Sequence, residues 1–294
     1  MKLSDYKNID ITLISDCEFD QLAKLDDAVD GRILCFIESE KYVDRAIENG
    51  NIVAVITAEN LVERFIKAGM GVAYSSTPKA AFIQINNSIK LSFSKTSIGS
   101  NCMISPNAMV CADGVEIGDN VTIEDGAVIY SGTVIGSNCI IGHNSVIGGD
   151  CYERCRDKRG DYLVSIHKGG VIIGNNVIIE REAEIDKALF NWDNTTIGDG
   201  CFVGRGASVS HGCKLMQFVT ISPKSYLCGN VFVAEHSKIG IGAIVSNRIR
   251  IGSNVDIKLG SVVTKNIDND SVVSGNFAIP HLNHIDFVKK ISKH

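Results

Sequence analysis

The sequence is poor in aromatic residues (6%), has 4 Pro and one Trp in 294 residues, and contains no long apolar run. No stretch approaches the roughly 18 apolar residues that a membrane-spanning helix needs, so none is expected. Excess positive charge is also missing. With 29 Lys+Arg against 34 Asp+Glu the net charge is -5, which leaves no basic field for nucleic acid or an anionic membrane surface. The stretch from Met1 to Asp16 mixes polar and apolar residues rather than reading basic-then-apolar, and a cytoplasmic protein is expected. Ten Cys fall below the density of a disulfide scaffold, and no C-x-x-C pair occurs. Cys151 and Cys155 form the closest pair, but without a second pair nearby no metal site is expected.

What is present is a repeat. An aliphatic residue recurs every six positions through Ile173, Ile179 and Ile185, and again from Ile197 to Val263, broken only at Asn191. The same period runs upstream through Ile98, Ile104 and Val110, slips by one residue, and resumes from Ile117 to Ile147. Four residues after most repeat positions stands a small or β-branched residue, such as Cys102, Ala127, Cys139, Ser145, Cys201, Cys213, Ser225 and Ser237. A hexad fits neither the 3.6-residue period of a helix nor the alternation of an ordinary strand. It fits a triangular solenoid with one short strand per hexad and three hexads per coil. The aliphatic side chain then points to the axis and the small residue fits near a corner. The expected fold is mainly β, a left-handed parallel β-helix of about eight coils.

Residues 1–95 read differently. Strands are expected at Arg32–Ile37, Asn51–Thr57 and Gly71–Ser75, alternating with helices at Glu40–Asn49, Ala58–Ala68 and Pro78–Ile89, a small α/β domain. The β-helix then occupies residues 96–267, with an extruded loop at 148–170 that lacks the hexad and carries Arg154, Arg156, Lys158 and Arg159. Residues 268–294 form a tail with a short helix over Asp286–His294.

The α/β domain, the interrupted hexapeptide helix and the helical tail together resemble UDP-3-O-acylglucosamine N-acyltransferases. They equally resemble acyl-CoA-dependent N-acyltransferases of dTDP- or UDP-linked amino sugars. The segments that carry the resemblance are Cys35 to Tyr42, Gly170 to Gly174 and Val209 to Gly212, while Ile221 to Val231 looks more like the acetyl-CoA-dependent sugar acetyltransferases. The resemblance implies acyl transfer to the amine of a nucleotide-linked sugar for cell-surface glycan synthesis. It also implies a homotrimer whose site lies between prisms, and acyl-CoA as co-substrate with no permanently bound cofactor. The alternative is lipid A chemistry with a 3-hydroxyacyl chain on an acyl-carrier protein.

An 18-residue coil stacks Asp193, His211, Gly229, Asn247 and Lys265 in one column. Attack of an amine on a thioester needs a proton acceptor, and an imidazole titrating near 6.5 suits cellular pH. His211 is the expected general base, with Asp193 as the carboxylate that orients it and the Gly229 N–H as oxyanion donor. The resemblance implies the same roles for the histidine and the glycine amide. Asn247, Arg248 and Lys265 are expected to hold the acyl donor, together with Gly229. By the resemblance, Phe36 and Tyr42 match an aromatic pair that sandwiches a nucleotide base. Two departures stand out: Gly212 follows the histidine where sugar acetyltransferases carry an acidic residue, and Arg248 aligns with a second histidine of the lipid A enzymes. The latter weighs against the carrier-protein alternative. A zinc hydratase on the same fold would need converging histidines. His143, His236, His281 and His284 share no column with His211 and are expected at the surface.

Overall fold

The computed structural model of the chain describes residues 1–275 and 281–291. Residues 1–89 build a five-stranded sheet from β1 (Thr12–Ser15), β2 (Gln21–Leu22), β3 (Ile33–Ile37), β4 (Ile52–Thr57) and β5 (Gly71–Tyr74), in the order β1-β5-β4-β3-β2. Only β1 runs antiparallel, along the edge beside β5. The helices α1 (Val43–Glu48), α2 (Val62–Lys67) and α3 (Pro78–Ser88) alternate with the strands. Short 3-10 turns at Glu40–Tyr42 and Glu59–Leu61 lead into α1 and α2. Pro78 opens α3, where a missing N–H costs nothing.

From Ser97 onward, strands of two to four residues stack into three parallel sheets of nine, eight and eight strands, the three faces of a left-handed parallel β-helix. The register is 18 residues per coil in regular stretches: Thr122 pairs with Ile140, and Phe232 with Arg250. The hexad aliphatics fill the axis, with Ile141, Ile179, Val203, Ile221 and Val245 wholly buried. Removing one such side chain costs about 2–5 kcal/mol, because a closed prism cannot collapse onto the cavity.

Several of the small polar residues four positions on are buried at the corners and satisfied there, while the buried Thr133 hydroxyl has no partner. Ser225 donates to Ser222 and Gly240 carbonyls at 2.7 and 2.9 Å, and Ser237 to Gly252 at 2.6 Å. The thiols of Cys139, Cys201 and Cys213 donate to carbonyls of the coil above, Gly174, Met216 and Cys228, at 3.0–3.2 Å. All ten cysteines are free. No helix among the described residues is long and apolar enough to cross a membrane.

Two departures from the 18-residue coil position the candidate site. Thr133 pairs with Val171, 20 residues more than one coil, so the charged segment after Ile147 is inserted as a loop. Val171 then pairs with Thr195, six more than one coil. An insertion of six residues leaves the hexad count in phase, which is why the sequence shows it only as the break at Asn191. This second insertion carries Leu189, Phe190 and Trp192 into the core of the N-terminal sheet. Phe190 meets Phe82 edge-on at 5.9 Å, and the Trp192 indole N–H donates to the Leu22 carbonyl at 2.7 Å.

The first insertion is docked, not splayed into solvent. Its hairpin, Arg154–Arg156 with Tyr162–Val164, lies against α3. Asn86 donates to the Ile166 carbonyl and Asn87 to that of Val164, both at 2.9 Å. The C-terminal helix α4 spans His281–Ile291, starting five residues before the expected Asp286, and residues 292–294 of the expected segment lie outside the described residues. The side chains of His281 and His284 likewise lie outside them.

Candidate active site

One corner of the prism carries every feature of interest. The long loop leaves it after Ile147, the short insertion after Ile185, His211 follows Val209 one coil higher, and Gly229 follows Leu227 above that. Gly212 N–H donates to Thr195 Oγ1 at 2.9 Å, fixing the peptide next to the histidine. The imidazole of His211 packs directly against the Cα of Gly229, whose N–H has no acceptor in the chain among the described residues. His211 and Gly229 are therefore brought together, as the column requires.

Asp193 reaches the crevice beside His211 but does not bond the imidazole. Its Oδ1 accepts from Lys214 Nζ at 2.6 Å and from the Asn194 N–H at 2.8 Å, and no hydrogen bond joins it to His211. The cause is the six-residue insertion. Asp193 closes that insertion on the side of the next sheet, under Gly212, so the column is interrupted below His211. The side chain that meets the imidazole is His167, at the end of the long loop, with ring centroids 5.5 Å apart and planes at 67°. Sequence reasoning missed His167 because it lies in the segment without hexads.

The expected imidazole titration near 6.5 is also corrected. Burial lowers His211 to about 4, with His167, Lys24 and Arg248 pushing the same way and Glu153 opposing. His211 is thus a neutral imidazole at cellular pH.

A narrow crevice over His211 is walled by Lys24, Asp27, Phe190, Trp192, Asp193 and Asn230. It adjoins a cavity of about 410 Å³ between the N-terminal sheet and the prism, in which Phe36, Tyr42, Lys24, Lys41 and Arg248 all take part. Phe36 and Tyr42 line this one cavity without touching each other. Phe36 is backed by Phe82 at 5.1 Å, and the Lys41 ammonium sits 4.5 Å from the Tyr42 ring centre.

Arg248 lines this cavity. Its guanidinium pairs with Asp27 at 2.8 Å and donates to the Asp26 carbonyl at 3.2 Å. It does so from φ +60°, a conformation that Gly212 (φ +68°) and Asn230 (φ +60°) occupy below it with less strain. Asn247 and Lys265 continue the column on the exposed corner and make no hydrogen bond to the site.

Lys24 joins the cavity to the crevice and holds the long loop. Its ammonium pairs with Glu153 at 2.9 Å, and Lys79 pairs with the other Glu153 oxygen at 2.7 Å. Burial alone would raise the Glu153 carboxyl, but the two lysines outweigh it and bring it down to about 2. His143 lies on the surface beside Glu124, and His236 stacks on exposed Phe218 at 5.2 Å.

This arrangement sits on a known repeat. The bacterial transferase hexapeptide (six repeats) matches residues 114–149, and the hexapeptide repeat of succinyl-transferase matches residues 95–131. The chain carries hexapeptide repeats of these kinds over residues 95–149. It is 28% identical over 119 residues to the UDP-3-O-acylglucosamine N-acyltransferase of Bordetella parapertussis, covering 40% of this chain and 32% of that protein. It is 32% identical over 87 residues to the acyl-[acyl-carrier-protein]–UDP-N-acetylglucosamine O-acyltransferase of Alkalilimnicola ehrlichii, covering 30% of this chain and 34% of that one. The chain thus spans about a third of the length of these relatives. Among solved structures, the UDP-N-acetylglucosamine acyltransferase from Campylobacter jejuni superposes with a TM-score of 0.55 at 24% identity, covering 67% of this chain and 78% of that one. At that identity the likeness speaks for the hexapeptide fold.

Proposed function

We propose that the protein is a nucleotide-sugar acyltransferase that moves an acyl group from a thioester onto the amine of a nucleotide-linked amino sugar. The observation that carries this reading is the nearness of two sites that share Lys24. A cavity lined by two aromatic rings and by Lys24, Lys41 and Arg248, with Asp26 and Glu38 also in its wall, lies beside a crevice where an unprotonated imidazole meets a free peptide N–H. The names of the sequence relatives support a UDP-linked sugar.

In this reading Phe36 and Tyr42 flank the base, and Lys41, Lys24 and Arg248 offset the diphosphate charge. The sugar amine points along the crevice to His211. As its nitrogen bonds to the thioester carbon, the carbonyl oxygen takes up negative charge and meets the Gly229 N–H. His211 takes the proton from the nitrogen, collapse of the intermediate expels the thiolate, and the proton passes on to sulfur. An imidazole this weakly basic acts late, once bond formation has made the nitrogen acidic, so the amine enters already neutral.

The donor we favour is acyl-CoA, with acyl-carrier protein as the second reading, because two sequence relatives are named for UDP-3-O-acylglucosamine and for acyl-carrier protein. The exposed ladder of Tyr226, Ile244 and Val262 on one outer face supports assembly with further copies of the chain, as in the trimer expected from sequence. The unpaired thiols fit a reducing compartment such as the cytoplasm. The test is thiol release from acyl-CoA and acyl-carrier protein side by side, with a panel of UDP- and dTDP-amino sugars. Turnover with acyl-CoA and an amino sugar is the expected result. Turnover with the carrier protein alone would move the assignment to the second reading, and no turnover with any pair would overturn both.

A further inference from the structure

The long loop returns to the prism through Ser165, Ile166 and His167, and His167 is enclosed there with its side chain wholly buried. Neither ring nitrogen makes a hydrogen bond of sound geometry, although the Ser165 carbonyl lies near enough to favour the protonated ring. The nearest carboxylate, Asp150, is taken by Lys187 at 3.0 Å and by the His167 backbone N–H at 3.1 Å, which leaves it 3.9 Å from Nδ1. A buried imidazole with two idle nitrogens is costly, roughly 1–3 kcal/mol for each unmet group, and such a group calls for a role.

Its one ring neighbour among the described residues is His211, edge-on at 5.5 Å between centroids. An N–H···N bond of about 2.9 Å between two five-membered rings puts their centroids roughly 5 Å apart, so a small rotation of either ring makes the bond. We propose that His167 is the positioning residue of His211, its unprotonated ring nitrogen accepting the N–H of His211 and so fixing ring plane and tautomer where a carboxylate was expected, with the other His211 nitrogen left free to take a proton. The inference rests on the base role proposed for His211.

Two further observations agree with it. The loop end is strapped to the N-terminal domain: the Lys168 ammonium donates to the Asn87 and Ile89 carbonyls at 3.2 and 2.7 Å, and the Ile166 N–H to Asn87 Oδ1 at 2.8 Å. His167 therefore stands on a fixed support. A neutral acceptor also suits the surroundings. Lys24 and Arg248 face His211 with Glu153, Asp27 and Asp193 at the rim, and Lys187, Asp150 and Glu153 surround His167. No carboxylate in this set is bonded to either ring, so His211 stays uncharged between turnovers.

The test is long-range proton–nitrogen NMR on histidine-labelled protein, for the wild type, His167→Phe and His167→Gln. The wild type should hold His211 in one tautomer, with one His167 ring nitrogen at the shift of a hydrogen-bond acceptor. His167→Phe keeps a ring but no acceptor, so His211 should exchange between tautomers. His167→Gln, whose amide oxygen retains an acceptor, should restore the single tautomer. In turnover His167→Phe should lose roughly 10- to 100-fold in kcat, less than removal of the base itself, with KM for the nucleotide sugar unchanged and partial recovery in His167→Gln. Two His211 tautomers in the wild type, or a folded His167→Phe protein with an unaltered tautomer, would overturn the inference. The wild-type spectrum decides by itself if the variants do not fold. The spectra need no substrate, so an enzyme inactive toward amino sugars would sink the proposed function and leave this inference standing.

Discussion

The imidazole of His211 occupies the space that a side chain at Gly229 would fill: a β-carbon built there falls 2.7 Å from Cε1 and closer still to Nε2. Gly229 does not have a left-handed φ, so alanine suits the backbone and only the imidazole opposes it. Gly229→Ala is therefore predicted to fold normally while displacing the base. The expected loss is roughly 10²-fold in kcat/KM for the donor, read from steady-state kinetics beside a circular dichroism melt. Unchanged donor kinetics would remove Gly229 from the site.

His211→Asn keeps a polar side chain of similar reach and removes the proton acceptor. A fall in kcat of roughly 10²- to 10⁴-fold is expected, with KM for the nucleotide sugar little altered. Near-normal turnover would mean that the amine loses its proton without this imidazole.

Phe36 and Tyr42 border the cavity from β3 and from the turn before α1, each half-buried and packed on its other side against the domain core. Base stacking on an aromatic ring contributes about 1–3 kcal/mol, so either alanine variant should raise the dissociation constant for the nucleotide sugar by roughly 5- to 150-fold. Titration calorimetry with the nucleotide sugar measures this directly. Intact affinity in both variants would return the two rings to a packing role.

Glu153 ties the long loop to the N-terminal domain through Lys24 and Lys79. Glu153→Gln leaves two ammonium groups facing each other without their counter-charge. The predicted cost is about 1–3 kcal/mol, less than for a fully enclosed pair because both lysines are about a quarter to a third exposed. Urea midpoints at neutral pH test this, and a change of a few tenths of a kcal/mol would make the triad a surface ornament.

The hexad period reports the fold because the closed prism needs an aliphatic residue at each axial position, and the sequence from Ile98 to Val263 supplies it. The α/β alternation was equally legible, apart from β1 and β2, two short edge strands with little apolar signature. His211 and Gly229 were found because stacking in regular coils is local arithmetic. Asp193 misled for the same reason: an insertion of six residues preserves the count while moving the chain off the prism. Lys24, Glu153 and His167 were illegible because long-range docking brings them together, with Lys24 and Glu153 129 residues apart. Arg248 was visible, but its direction depends on Asp27, 221 residues away.

Acid sensitivity separates the buried imidazoles from the other shifted groups. Burial holds His211 at about 4 in the folded chain against 6.5 unfolded, so between these values the unfolded chain binds a proton that the native one refuses. His211 therefore makes stability fall as pH drops through that window, by up to roughly 3 kcal/mol. His167, also lowered by burial, acts in the same direction. Asp186 acts oppositely. Burial raises its carboxyl to about 6, so the native state takes up its proton first and gains stability as pH falls from 6 toward the ordinary carboxylate range. The wild-type profile alone is thus a sum of opposed slopes, and the prediction concerns a difference. Relative to wild type, His211→Asn should gain stability steadily as the pH is lowered from 7 toward 4, followed by urea midpoints at each pH. A constant offset between the two proteins across that range would show that the imidazole is solvated like a surface histidine, and that the crevice above it stands open to water.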